Sequence, residues 1–264
     1  MERSKNFGGP RRPKTEDRNQ MVFGIRAVME AIEAGKEIET LFIQRNLTGD
    51  LLGQLLKLAH KHKVVIQKVP EEKLNRLTMK VHQGAVAFVS PIIFQNIGEI
   101  ITSTFEKGES PFVVILEGIT DVRNFGAIAR SAYCAGCHAI IIPTRGAARI
   151  NSDAIKTSAG ALHHLPVVRE VNLNNTVRFL KESGLTIVGC TEKATETIYK
   201  TNLTGPIAIV MGAEDVGLSN DMLKATDYIT KIPMPGQLDS LNVSVATGVV
   251  LFESIRQKEI EAGA

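Results

Sequence analysis

Beyond residue 110 the chain alternates short runs rich in Val and Ile with stretches of helical periodicity, and this alternation restricts the fold more than any other feature. Candidate strands lie at 112–117, 139–143, 164–168, 186–190, 207–211 and 228–233. Candidate helices lie at 125–135, 152–159, 173–183, 220–225 and 242–257. Apolar runs that do not alternate with polar residues are buried on both faces, and intervening helices make the crossovers of a mostly parallel sheet. The expected class is α/β.

Three strand-to-helix junctions stand out in this region. They are Asn124-Phe125-Gly126-Ala127-Ile128-Ala129-Arg130-Ser131-Ala132, Met211-Gly212-Ala213-Glu214-Asp215-Val216-Gly217-Leu218-Ser219 and Ile232-Pro233-Met234-Pro235-Gly236-Gln237-Leu238-Asp239-Ser240-Leu241-Asn242-Val243-Ser244. Each follows an apolar run and joins glycine to reactive polar side chains at a helix start. In a parallel sheet such ends share one edge, so the three predict a single site.

Ahead of this series, residues 21–91 read as a smaller αβ unit. Helices are expected over 25–34 and 50–62, and strands over 40–44, 64–69 and 85–90. A connector over 95–109 carries a short amphipathic helix with Ile97, Ile100, Ile101 and Phe105. The expected layout is a basic tail (1–20), a small domain (21–91), a linker (92–110), a main domain (111–258) and a short C-terminal tail (259–264).

A chain of 264 residues can bury a real core, and 44% hydrophobic with 22% charged residues is ordinary for a globular protein. No run of eighteen apolar residues offers a membrane span. The first twenty residues are polar and lack the apolar stretch of a secretory signal. Three cysteines, an odd number, fit a reducing cytoplasm. Of 31 Lys/Arg and 28 Asp/Glu, residues 1–20 hold six and three, which leaves 25 of each in the rest. The excess charge therefore sits on a tail expected to be disordered, suited either to a phosphate backbone or simply to solubility.

Asn124 reads as a cap for its helix, with Arg130 beside small residues and free to clamp a phosphate through paired donors. An ordinary capped helix with a surface arginine fits the same residues. The glycine pair Gly212 and Gly217 lacks the Lys-Ser/Thr of a magnesium-nucleotide loop, and no Gly-x-Gly-x-x-Gly follows a candidate strand, which weakens a nicotinamide oxidoreductase. What remains is a tight turn with a carboxylate, Glu214, and Ser219 as a helix cap. Ser240, Asn242 and Ser244 crowd the start of the last helix, where exposed backbone N–H groups can hold a polar ligand. Cys134 and Cys137 are expected as buried small side chains. His60 and His62 belong to a solvated helix end, and His163-His164 precede a strand without a carboxylate at metal spacing. His82-Gln83-Gly84 is either a turn or a ligand contact.

Together the three junctions resemble the SPOUT superfamily of RNA methyltransferases, specifically its SpoU/TrmH branch. Within it the likeness is to the RlmB-like group that 2′-O-methylates a guanosine of 23S ribosomal RNA. It rests on Asn-x-Gly-Ala-x-x-Arg, Gly-x-Glu-x-x-Gly-Leu-Ser and Ile-Pro-Met-x-Gly-x-x-x-Ser-Leu-Asn-Val-Ser, and covers residues 21 to about 258. The stretch Val81-His82-Gln83-Gly84-Ala85-Val86-Ala87 resembles the family's substrate-binding domain, similar to small kink-turn-binding ribosomal proteins. The resemblance implies a deep trefoil knot in the C-terminal domain, a homodimer packed knot against knot, and S-adenosylmethionine as donor, with S-adenosylhomocysteine as product and no metal. It implies cofactor contacts from Gly212, Glu214, Ile232, Met234, Gly236, Leu241 and Asn242. It makes Arg130 the catalytic arginine, completing the partner's site and stabilising charge on the ribose oxygen. Asn124 and Asn242 would hold Arg130 and the ribose, Glu214 would orient the site, and Ser240 would complete the hydrogen-bond network. Transfer RNA or another ribosomal site, and a non-catalytic RNA-binding protein with this fold, are the alternatives. No membrane partner is expected.

Overall fold

The computed structural model describes residues 21–238 and 240–263, so the expected tail over 1–20 lies outside the described residues. The chain divides into two units between Pro91 and Ile92.

The first unit runs β1 (Met21–Phe23), α1 (Ile25–Glu33), β2 (Ile38–Gln44), α2 (Asp50–Lys61), β3 (Ile66–Val69), α3 (Glu71–Leu77) and β4 (Ala85–Val89). Its sheet has the order β1-β4-β2-β3, with β2 and β3 parallel and the other pairs antiparallel. Alternation along β2 sends Leu41 and Ile43 toward Val28, Ile32, Leu55 and Ala59 of α1 and α2. Phe42 points the other way, onto Leu74 of α3 and Val86. Neither β1 nor α3 is anticipated from sequence. The first has three residues, and the second buries only Leu74, so neither shows a period.

The second unit contains β5 (Phe94–Gln95), α4 (Ile97–Glu106), β6 (Phe112–Leu116), α5 (Val122–Cys134), β7 (Ala139–Pro143) and α6 (Ser152–Thr157). It continues through β8 (Val167–Glu170), α7 (Leu173–Glu182), β9 (Thr186–Cys190), β10 (Ile207–Met211), α8 (Asn220–Ala225), β11 (Tyr228–Thr230) and α9 (Val243–Gly263). The seven strands lie in the order β11-β9-β10-β6-β7-β8-β5, and every neighbouring pair is parallel. β6 and β10 are buried along their whole length, as expected for strands covered on both faces. Phe112, Val114 and Leu116 face α5, α6 and α9, whereas Val113 and Ile115 face α4, α7 and α8. Each such side chain contributes roughly 1.5–3 kcal/mol by leaving water.

Several expected boundaries move. Residues 92–110, expected as a linker, hold β5 and α4, and Ile97, Ile100 and Ile101 join the core of this unit. Phe105 stays on the surface. The strand expected at 164–168 begins at Val167, after a 3-10 turn over Ala161–His163. β11 ends at Thr230 instead of 233, and Lys231 makes only an isolated bridge to Thr197. The last helix continues through residues expected as a tail, to Gly263. Among the described residues no helix is long and apolar enough to cross a membrane.

Candidate functional site

Strand register brings the junctions together. Met211, the last residue of β10, lies opposite Leu116 of β6 on one side and Cys190 of β9 on the other. Residues 117–118, 191–192 and 212–214 therefore leave the sheet side by side at its carboxyl edge. The chain order reverses at this point, since β7 and β8 step one way from β6 and β10 and β9 lie the other way. Ligand sites of open parallel sheets form at such reversals.

The turn after β10 depends on glycine. A Cβ on Gly212 would stand 2.3 Å from the carbonyl carbon of Gly217 and 2.5 Å from its oxygen. Gly217 itself has φ +70°, and its N–H donates to the Ala213 oxygen at 2.9 Å. Ser219 caps α8, its Oγ accepting from Met222 N at 3.1 Å. Glu117 ties the far side of the turn down, accepting from Ser219 N at 2.9 Å and Ser219 Oγ at 2.8 Å.

Asn242 caps α9, its Oδ1 accepting from Ser244 N at 3.0 Å and Val245 N at 3.4 Å. Its Nδ2 donates to Asn124 Oδ1 at 2.9 Å and to Glu214 Oε1 at 2.7 Å, and Glu214 Oε1 also accepts from Val243 N at 3.0 Å. One amide thus links all three junctions, and both of its Nδ2 donors are used. Asn124 does not cap its own helix as expected. Asp121 does, with Oδ1 accepting from Arg123 N at 2.8 Å and Asn124 N at 2.9 Å. Asn124 is consequently one turn further in, where its side chain is free to meet Asn242.

An open cleft of about 610 Å³, bulk solvent at its mouth included, lies over these loops. Gly212, Glu214, Ile232, Met234, Ser240 and Leu241 line it, as does Met211 at its floor. Neither Gly236 nor Asn242 lines it: Gly236 is exposed, and Asn242 commits its amide to Asn124 and Glu214. Ser240 reaches the cleft but has no hydrogen bond to a described residue, so the expected network stops at Asn242. Arg130 is exposed on α5, does not line the cleft, and pairs with no described residue.

Sequence reasoning missed Cys190, Thr191 and Glu192, which also line the cleft, and the anchoring Glu117. All four sit at or just past strand ends, and that position was the available signal. Cys190 and Cys137 are pushed up to about 12, chiefly by burial, so neither is a thiolate at neutral pH. Cys134 is exposed, not buried as expected. The His82 stretch is a turn: Gly84 N donates to His82 Nδ1 at 3.0 Å, and Nε2 meets Asn75 Oδ1 at 2.9 Å. His60, His62, His163 and His164 are exposed. Among the described residues no group of three or more His, Cys, Asp or Glu is placed to hold a metal ion.

Residues 111–252 match a family profile described as the SpoU rRNA Methylase family. Residues 21–95 match one described as RNA 2'-O ribose methyltransferase substrate binding. The 23S rRNA (guanosine-2'-O-)-methyltransferase RlmB of Photobacterium profundum is 40% identical over 245 residues, covering 92% of this chain and 99% of that protein. The protein of the same name from Escherichia coli strain K12 is 38% identical, covering 91% and 99%. Among solved structures, the SpoU methyltransferase AviRb from Streptomyces viridochromogenes, in complex with AdoMet, superposes with a TM-score of 0.58. It is 26% identical and the match covers 92% of each chain.

Proposed function

The chain belongs to the SpoU rRNA methylase family, and on that premise we propose that it transfers a methyl group from S-adenosylmethionine to a ribose 2′-hydroxyl, that of a guanosine in 23S ribosomal RNA, in the cytoplasm. The observation that carries this reading is the three-way link through Asn242, which fixes polar groups from three separate loops beside an open cleft at the carboxyl edge of the sheet.

The residues fit the donor. Gly212 lets backbone approach where any side chain would fill the turn, Ile232, Met234 and Leu241 offer an apolar slot, and Glu192 and Glu214 supply carboxylates for a cationic ligand. When bound, S-adenosylmethionine supplies a methyl already activated on a sulfonium. The protein's task is to align the ribose oxygen and assist removal of its proton. Asn124 orients the ribose, and Asn242, its amide fully engaged, holds Asn124 and Glu214 in register. A guanidinium stays protonated, so Arg130 fixes a neighbouring phosphate and stabilises charge on the ribose oxygen instead of acting as a base.

Arg130 is exposed and does not line its own chain's cleft, which supports a homodimer in which it completes the partner's site. Val245, Phe252 and Ile260, 51%, 52% and 58% exposed, fall on one stripe of α9, and Tyr133 of α5 is also exposed. Such an apolar stripe suits a second copy. We assign residues 21–91 to RNA binding and the second unit to methyl transfer. The C-terminal part of the second unit closes a trefoil knot in this reading. Its support is the tie between α9 and the segment joining β9 to β10, with Gln257 Oε1 accepting from Leu203 N at 2.8 Å and Ser254 Oγ donating to the Leu203 oxygen at 2.7 Å.

Subunit mixing tests the whole arrangement. Arg130→Ala should abolish ribose methylation of a 23S transcript while leaving S-adenosylhomocysteine binding intact. Mixing it with a Gly212→Ala chain then restores part of the activity. Two inactive parents that stay inactive after mixing would refute the shared site.

A further inference from the structure

The cleft carries two carboxylates and, among its lining residues, no Lys, Arg or His. The two acids are not equivalent. Glu214 is held by Asn242 Nδ2 and by the Val243 N–H at the start of the 21-residue helix α9, whose N-terminal dipole offsets its charge. Glu192 has no such compensation. Its one hydrogen-bond partner among the described residues is the neutral Thr191 hydroxyl, at 3.3 Å, and no described cation pairs with it. Its Oε2 stands 3.9 Å from where a Cβ on Gly217 would lie, so the carboxylate leans over the glycine turn from the β9 side.

An uncompensated carboxylate at the rim of a cleft leaves negative potential inside it. We propose that Glu192 is a specificity residue that biases the cleft toward the cationic methyl donor and against the neutral demethylated product. The inference rests on the methyl-donor reading above. S-adenosylmethionine carries a sulfonium, an ammonium and a carboxylate, for a single net positive charge. S-adenosylhomocysteine keeps the last two and is neutral. The molecules otherwise differ by one methyl group, so a preference that disappears with one carboxylate is a charge preference. Its consequence for turnover is that spent product yields the cleft to fresh donor.

Calorimetric titration of the full chain and of Glu192→Gln with each ligand, at low and high salt, tests this. Glu192 is exposed, so its replacement leaves the fold intact. Glu192→Gln should weaken S-adenosylmethionine about three- to tenfold at low salt and leave S-adenosylhomocysteine within about twofold. The native preference should shrink as salt rises, and that of the variant should not. Equal losses for both ligands place Glu192 on a group they share and overturn the proposal, as does no loss for either. Those outcomes leave the methyl-donor reading standing. A native chain that binds neither ligand overturns both.

Discussion

Gly212 shows how one residue can decide whether the cleft exists. Its missing Cβ is occupied by backbone of Gly217 and Leu218, which has no rotamer with which to yield. Gly212→Ala should therefore leave a folded chain with little or no heat on titration with S-adenosylhomocysteine. A variant with native affinity would show that the turn can open without consequence. The thiols of Cys137 and Cys190 make a second prediction at this scale. Burial raises the folded-state pKa of Cys137 and Cys190 from 9.0 to about 12, so their contribution is complete below pH 9 and is lost as pH rises toward 12. Alkylation of the native protein at pH 8 should accordingly modify the exposed Cys134 first and leave Cys137 untouched. Rapid labelling of Cys137 would contradict its burial. Residue chemistry was legible in sequence where a side chain acts through its own loop, as at Ser219. It was not legible for Glu117, whose partner Ser219 is 102 positions away.

Two helix starts carry the site at the level of elements. Asn242 both caps α9 and bridges Asn124 to Glu214, and two substitutions separate the roles. Asn242→Ala removes the cap and should cost about 1 kcal/mol of stability along with activity. Asn242→Asp keeps a good cap but sets a second carboxylate against Glu214 and removes the donor to Asn124, so methyl transfer should fall on the order of a hundredfold although the α9 cap is retained. Activity retained by Asn242→Asp would remove the bridge from the mechanism. Gly126 sets the approach of α5 to α6: a Cβ there would lie 2.7 Å from Thr157 Cβ and 2.9 Å from the Ala154 oxygen. Gly126→Ala should destabilise the second unit by roughly 1–3 kcal/mol in denaturant unfolding, and a neutral result would mean the helices part easily. Helix and strand types in the second unit were readable because their apolar periods are strong. Ends were less so, since a cap such as Asp121 or a truncated strand such as β11 is decided by tertiary partners outside the local pattern.

At the scale of the whole molecule the chain has separate cores on either side of residue 91. A fragment beginning at Ile92 should fold and bind S-adenosylhomocysteine with the affinity of the full chain, yet fail to methylate 23S RNA. Cofactor binding lost with the first unit would contradict that division of labour. The α/β series and its shared carboxyl edge were visible in sequence, whereas strand order was not. The excursion of β11 to the outside of β9, and the return of the chain to α9, leave no mark in hydrophobic period. The most direct measurement is a map of ribose methylation across total RNA from cells with and without the gene, and from cells complemented with Asn242→Asp. The deletion should lose a single 2′-O-methylguanosine in 23S ribosomal RNA, restored by the native chain and not by the variant. An unchanged map after deletion, or a lost mark that lies on a base, would contradict the assignment.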